Sequence, residues 1–153
     1  MEKMELQLTG SEKNILRKKR IGRKELAKKT TDEIRVLLEV SLERARNIHA
    51  ICEFQKIPSV GIRFATDLVE LGIYSLDDLK GRDASDLLNA FELKQGFWID
   101  PCVEDQFRLV VYTAETGDKT KKWWDFTAER KRFRMKHGYP SSRPKKAWHE
   151  LDS

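Results

Sequence analysis

The stretch Ile57-Pro58-Ser59-Val60-Gly61 constrains this chain more than any other. Pro58 has no backbone N–H and disfavours α geometry at Ile57, so a helix arriving from the N-terminal side must stop there. Gly61 permits a close backbone approach at no steric cost, and a helix is predicted over about 62–71 directly after it. That helix carries Phe64, Ala65, Leu68 and Val69 on its buried face, with Ile57 and Val60 packing inward, and Gly72 ends it. Its first turn has N–H groups without intrahelical partners, which makes it a ready anion site.

Elsewhere the chain repeats this grammar. Thr30 and Glu33 have capping-box spacing, and an amphipathic helix is predicted from there to about Phe54, with Ile34, Leu37, Leu38, Leu42, Ala45, Ile48 and Cys52 recurring at helical spacing. Ser75 starts a short turn with Asp78, which Gly81 ends, and Asp83 caps a helix carrying Leu87, Leu88 and Phe91. A second corner, Lys94-Gln95-Gly96-Phe97-Trp98-Ile99, leads to Asp100-Pro101, an N-cap and N1 pair that starts a helix with Val103, Phe107, Val110, Val111 and Ala114 inside and Gly117 at its end. No run alternates at period two over a strand's length, so the chain reads as all-α.

Net charge, +5 over 153 residues, conceals a segregation. Residues 1–30 hold ten Lys or Arg against four acids, residues 31–118 nine against seventeen, and residues 119–153 eleven against four. Two basic arms thus flank an acidic core, and the arms supply the positive field that a nucleic-acid partner would meet. Domain boundaries follow: a basic N-terminal arm at 1–30, a helical domain at 31–126, and a basic, partly flexible C-terminal tail at 127–153. In the tail, Lys121-Lys122-Trp123-Trp124-Asp125-Phe126 precedes Arg130-Lys131-Arg132-Phe133-Arg134. Trp123, Trp124 and Phe126 read first as a staple onto the core and second as a base-stacking set.

Catalytic and metal chemistry find no motif. Cys52, Cys102, His49, His137 and His149 lack zinc-ligand spacing, and no phosphate loop, nucleophile elbow or two-histidine helix occurs. The chain is therefore not expected to be an enzyme. Cys102, near the helix start at Pro101, is the one thiol whose reactivity is open. With charged residues in Met1 to Gly10 and no long apolar run, neither a signal peptide nor a membrane span is expected; two thiols among apolar residues suggest the cytoplasm.

The corner resembles the helix-hairpin-helix motif, whose pattern is apolar, any residue, Gly, apolar, Gly. Ser59 stands where the motif has its first glycine; serine adds a hydroxyl but tolerates positive φ less well. Helix order then implies a tandem, SAM-like arrangement whose second hairpin is degenerate. More specifically, residues from about 39 to 131 resemble small bacterial helix-hairpin-helix proteins named after a pathogenicity locus. That resemblance rests on Ile57 to Gly61, Leu68 to Ile73, Ser75 to Gly81, Asp100-Pro101-Cys102-Val103, Phe107-Arg108, Val111-Tyr112 and Lys122-Trp123-Trp124-Asp125. That family resemblance implies an α-helical tandem fold; the helix-hairpin-helix resemblance implies backbone contact with phosphate at the hairpin and a monovalent cation on the hairpin carbonyls, and no other cofactor is expected.

Two functions are consistent with the residues. In one, the chain binds DNA, duplex or single-stranded, without sequence preference through Lys56, Ser59, Val60, Gly61, Ile62 and Arg63 at the hairpin and Arg130, Lys131, Arg132 and Arg134 in the tail. In the other, it is a protein-interaction domain, with a protein partner or a second copy of itself, and the hairpin is only a corner.

Overall fold

The structure, a computed structural model, describes residues 5–150; the remaining ends of the two expected arms lie outside the described residues. It is all-α. Helices α1 (Gly10–Lys19), α2 (Arg23–Leu26), α3 (Thr31–Leu38), α4 (Leu42–Phe54), α5 (Ile62–Glu70), α6 (Ala84–Gln95), α7 (Pro101–Thr116) and α8 (Thr127–His137) follow one another, with 3-10 turns at Asp77–Leu79, Trp123–Phe126 and Trp148–Glu150. Its contacts divide the chain into two compact units between Asp78 and Leu79.

In the first unit α3 packs on α4, and α4 on α5. Leu16, Leu26, Ala27, Ile34, Leu38, Ala45, Ile48 and Cys52 form one buried cluster. The expected N-terminal arm is thus part of the core. Thr9 and Glu12 form a capping box at the start of α1, and the Glu12 carboxylate, buried, takes a fork from Arg44 at 2.9 Å (Nε) and 2.8 Å (Nη2). That guanidinium holds the Glu12 carboxyl below the usual carboxylate range. Gln55 clasps the backbone of Glu5 from both sides, at 3.0 Å and 2.6 Å.

The single helix expected from Thr30 to Phe54 is two helices. Glu39 takes a left-handed φ of 55°, ending α3, and Ser41 caps α4 through the Arg44 N–H at 3.1 Å. The break shifts the phase of the apolar stripe, so Leu42 is exposed while Ala45 and Ile48 remain buried.

In the second unit α6 packs on α7, with the Phe91 and Phe107 rings edge to face at 6.0 Å. α8 lies on α7 and on the turn at Trp123–Phe126. The end expected to be flexible is tied down through Glu150. Arg143 forks onto buried Glu92 at 2.8 Å and 3.0 Å. Trp98 pairs with the 146–148 backbone through two 2.8 Å bonds around buried Ala147. Tyr139 lies between the guanidiniums of Arg134 and Arg143, 4.1 Å and 3.6 Å from its ring centroid.

Candidate nucleic-acid interface

The corner between α4 and α5 is built by local geometry. Gln55 caps α4 in right-handed geometry, the Val60 N–H donates to the Ile57 carbonyl at 3.1 Å, and Ile57 and Val60 are buried. Between them Ser59 has φ 66°, the left-handed conformation that glycine adopts freely. A non-glycine residue in that conformation carries a strain cost of roughly 1 kcal/mol.

Gly61 is the N-cap of α5, extended at φ −98°, and no side chain caps the helix. A Cβ at Gly61 would meet nothing within 4 Å. The position is open rather than tight, so the glycine leaves the first turn of α5 uncovered toward solvent. Ile62 and Arg63 follow in that turn, and Arg63 is exposed. Ile62 also borders a surface groove of about 350 Å³ that Glu5, Leu6, Gln7 and Arg23 complete. Lys56 is exposed beside the corner, its ammonium 2.6 Å from Glu53 and 3.4 Å from the Ala27 carbonyl. An exposed pair of that kind is worth under about 1 kcal/mol, so a phosphate can compete for the lysine.

One turn further along α5, burial pushes the Asp67 carboxyl up to about 7, with the neighbouring Glu70 charge adding to it. Asp67 sits directly before Leu68 on the edge of the apolar face of α5, and packing around that face half-buries it.

Basic residues of α1, α2 and their flanks extend the positive surface of this unit. Arg17, Lys18, Lys19, Arg20, Lys24 and Lys28 are exposed on folded backbone rather than on a loose tail.

The four basic residues expected from the C-terminal tail divide in two. Arg130 donates from Nε to Oδ1 of fully buried Asp105 at 2.7 Å. Arg134 donates to fully buried Glu104 at 2.9 Å and to Asn89 at 3.1 Å. Both are held inside, since a buried carboxylate needs its counter-charge. Lys131 and Arg132 point outward. Three acids of the 31–118 segment, Glu92, Glu104 and Asp105, are buried, and each is paired with an arginine 25 or more residues downstream.

Neither thiol is activated. Burial raises Cys52 to about 11. Burial also raises Cys102, and the Asp100 carboxylate beside it adds to the effect despite the helix start. Among the described residues no group of three His, Cys, Asp or Glu is placed to hold a metal, and no helix is long and apolar enough to cross a membrane.

These features define an all-α protein that turns an uncapped helix start and a folded basic surface toward solvent. The chain belongs to the Pathogenicity locus (Cdd1) family, whose profile matches residues 47–132. It is 32% identical over 81 residues to a protein named Mitomycin resistance protein McrB of Streptomyces lavendulae, an alignment covering 53% of this chain and 76% of that relative. No solved structure matches the chain.

Proposed function

We propose that this chain is a sequence-independent DNA-binding module built on two helix-hairpin-helix units in tandem, α4–α5 and α6–α7, of which the first contacts phosphate. The observation that carries the reading is the start of α5: Gly61 caps it without a side chain, the Cβ position is empty, and exposed Arg63 stands in the first turn. A phosphate there would accept the N–H groups of Ile62 and Arg63 and meet the positive end of the helix dipole. None of these donors distinguishes one base from another, so the contact positions the nucleic acid without reading it.

The exposed cations of α1 and α2 supply long-range attraction, as do Lys131 and Arg132 in the other unit. Glu5 opposes an anion in the groove beside Ile62, which favours a phosphate on the Arg63 side of the helix start. Free thiols at Cys52 and Cys102 fit a reducing compartment, the cytoplasm.

A second reading, contact with another protein, draws on the exposure of Val36 and Leu42, apolar residues at 68% and 57%. Titrating the full chain into labelled duplex and single-stranded DNA over a salt series separates the two. DNA binding should weaken with salt along a log–log slope of about −0.9 per phosphate contact on duplex. Absence of binding at low salt, together with a dimer in sedimentation, would favour protein contact.

A further inference from the structure

We propose that Trp124 is a stacking platform for an unpaired nucleobase, with Lys119, Lys121 and Lys122 neutralising the phosphates of the single strand that carries it. The inference rests on the nucleic-acid reading above but not on the hairpin, which lies in the other unit. The sequence places three rings together, and the structure separates their roles. Phe126 packs on Tyr112 at 5.4 Å, a staple as expected. Trp123 is half-buried and meets Trp124 edge-on at 5.3 Å and 85°. Trp124 itself is 51% exposed. A large ring is the side chain with most to gain from burial, and Trp124 keeps half its surface open to a planar partner on an ordered turn.

The backbone that carries it is tied down on both sides. The Asp125 carboxylate accepts the Lys122 N–H at 2.9 Å. Asp118 accepts the Tyr112 hydroxyl at 2.5 Å and both the backbone N–H and hydroxyl of Thr120, at 2.9 Å and 2.6 Å. Thr127, just after the turn, donates to buried Asp105 at 2.8 Å. A turn ordered before its ligand arrives loses little backbone freedom on binding.

Three lysines stand on the loop that carries the ring. The Lys122 ammonium lies 5.3 Å from the Trp124 ring centroid. Lys119 and Lys121 are exposed in the same loop, whose two acids are engaged within it, Asp118 with Tyr112 and Thr120 and Asp125 with the Lys122 N–H. An apolar protein partner would find these lysines costly to desolvate, whereas a phosphodiester chain brings charge opposite to each. Base faces inside a duplex are already stacked, so only an unpaired base can lie on the ring.

Anisotropy titrations of the full chain with a labelled oligothymidine and a labelled duplex test this. Trp124→Ala should weaken oligothymidine binding about 5- to 100-fold, the range of single-base stacking contacts, and leave duplex affinity within twofold. Trp124→Phe should restore most of the loss, and both variants should melt as the parent does. Arg63→Glu serves as the converse control, weakening duplex binding and so reporting on the hairpin separately. Oligothymidine affinity unchanged in Trp124→Ala would overturn the proposal and leave the hairpin reading intact. An equal loss on both nucleic acids would overturn it too, as would a parent that binds no single strand. So would loss of a dimer in sedimentation with strand affinity unchanged, which would assign the ring to self-association.

Discussion

Arg134 donates from Nε to Oε1 of Glu104 at 2.9 Å, and that carboxylate is fully buried. A cation that the sequence offers to DNA is therefore a structural counter-charge, and Arg130 on Asp105 repeats the pattern one turn earlier. Arg130→Ala removes the guanidinium from buried Asp105, which otherwise accepts the Thr127 hydroxyl. It should cost about 3 kcal/mol, read as a shift in urea midpoint. Lys131→Glu and Arg132→Glu should change stability by less than about 0.5 kcal/mol and weaken DNA binding instead. Equal stability of all three variants would refute the division.

Gly61→Asp sets folding against binding. The carboxylate has open space, can cap α5 and complements its dipole, so stability should rise by about 0.5–1 kcal/mol. The same side chain occupies the proposed phosphate position, so DNA affinity should fall and the salt slope shrink by about 0.9. Thermal melts and salt titrations on one preparation read both.

Ser59→Gly should relieve the left-handed strain at φ 66°, raising stability by up to about 1 kcal/mol less the added chain entropy of glycine. A melting temperature unchanged or lowered would argue against the strain.

Asp67 gives a pH signature. Its folded-state carboxyl titrates near 7, above the ordinary value of 3.8, so it favours folding fully only below about pH 4. That contribution is lost as pH rises to 7 and stays lost above. Asp67→Asn should therefore match the parent at pH 4 and exceed it at pH 8 by on the order of 1 kcal/mol, allowing for screening by solvent. Parallel stability curves from pH 4 to 8 would contradict the assignment.

Removal of residues 1–30 should unfold the first unit. Leu16, Leu26 and Ala27 leave the cluster with Ile34, Leu38, Ala45 and Ile48, and Arg44 loses Glu12. Two buried leucines alone represent about 3–6 kcal/mol, comparable with the whole stability of a small domain. Circular dichroism of the shortened chain should show lost helicity and a lost cooperative melt.

Helix starts and stops were legible because their signals are local. Thr30 with Glu33, Asp83, Asp100-Pro101 and Gly117 all act within four residues of themselves. Thr9 with Glu12 carries the same signature and could have revealed α1 beneath its lysines. The break at Glu39 was hidden because Leu38 and Leu42 keep helical spacing across it. Corner and helix start were visible in Pro58 and Gly61. The pairing of Arg130, Arg134 and Arg143 with buried acids was not, because charge patterning along the chain carries no record of partners brought together by packing.

The central claim, phosphate contact at the start of α5, is tested most directly by duplex affinity of the parent and of Arg63→Glu across a salt series. Glutamate in the first turn suits the helix dipole, so the fold should be retained and any loss assigned to the surface. The account requires weaker binding at every salt and a slope shallower by about 0.9. Superimposable lines for a folded variant, with the parent still binding, would show that the hairpin does not touch the DNA.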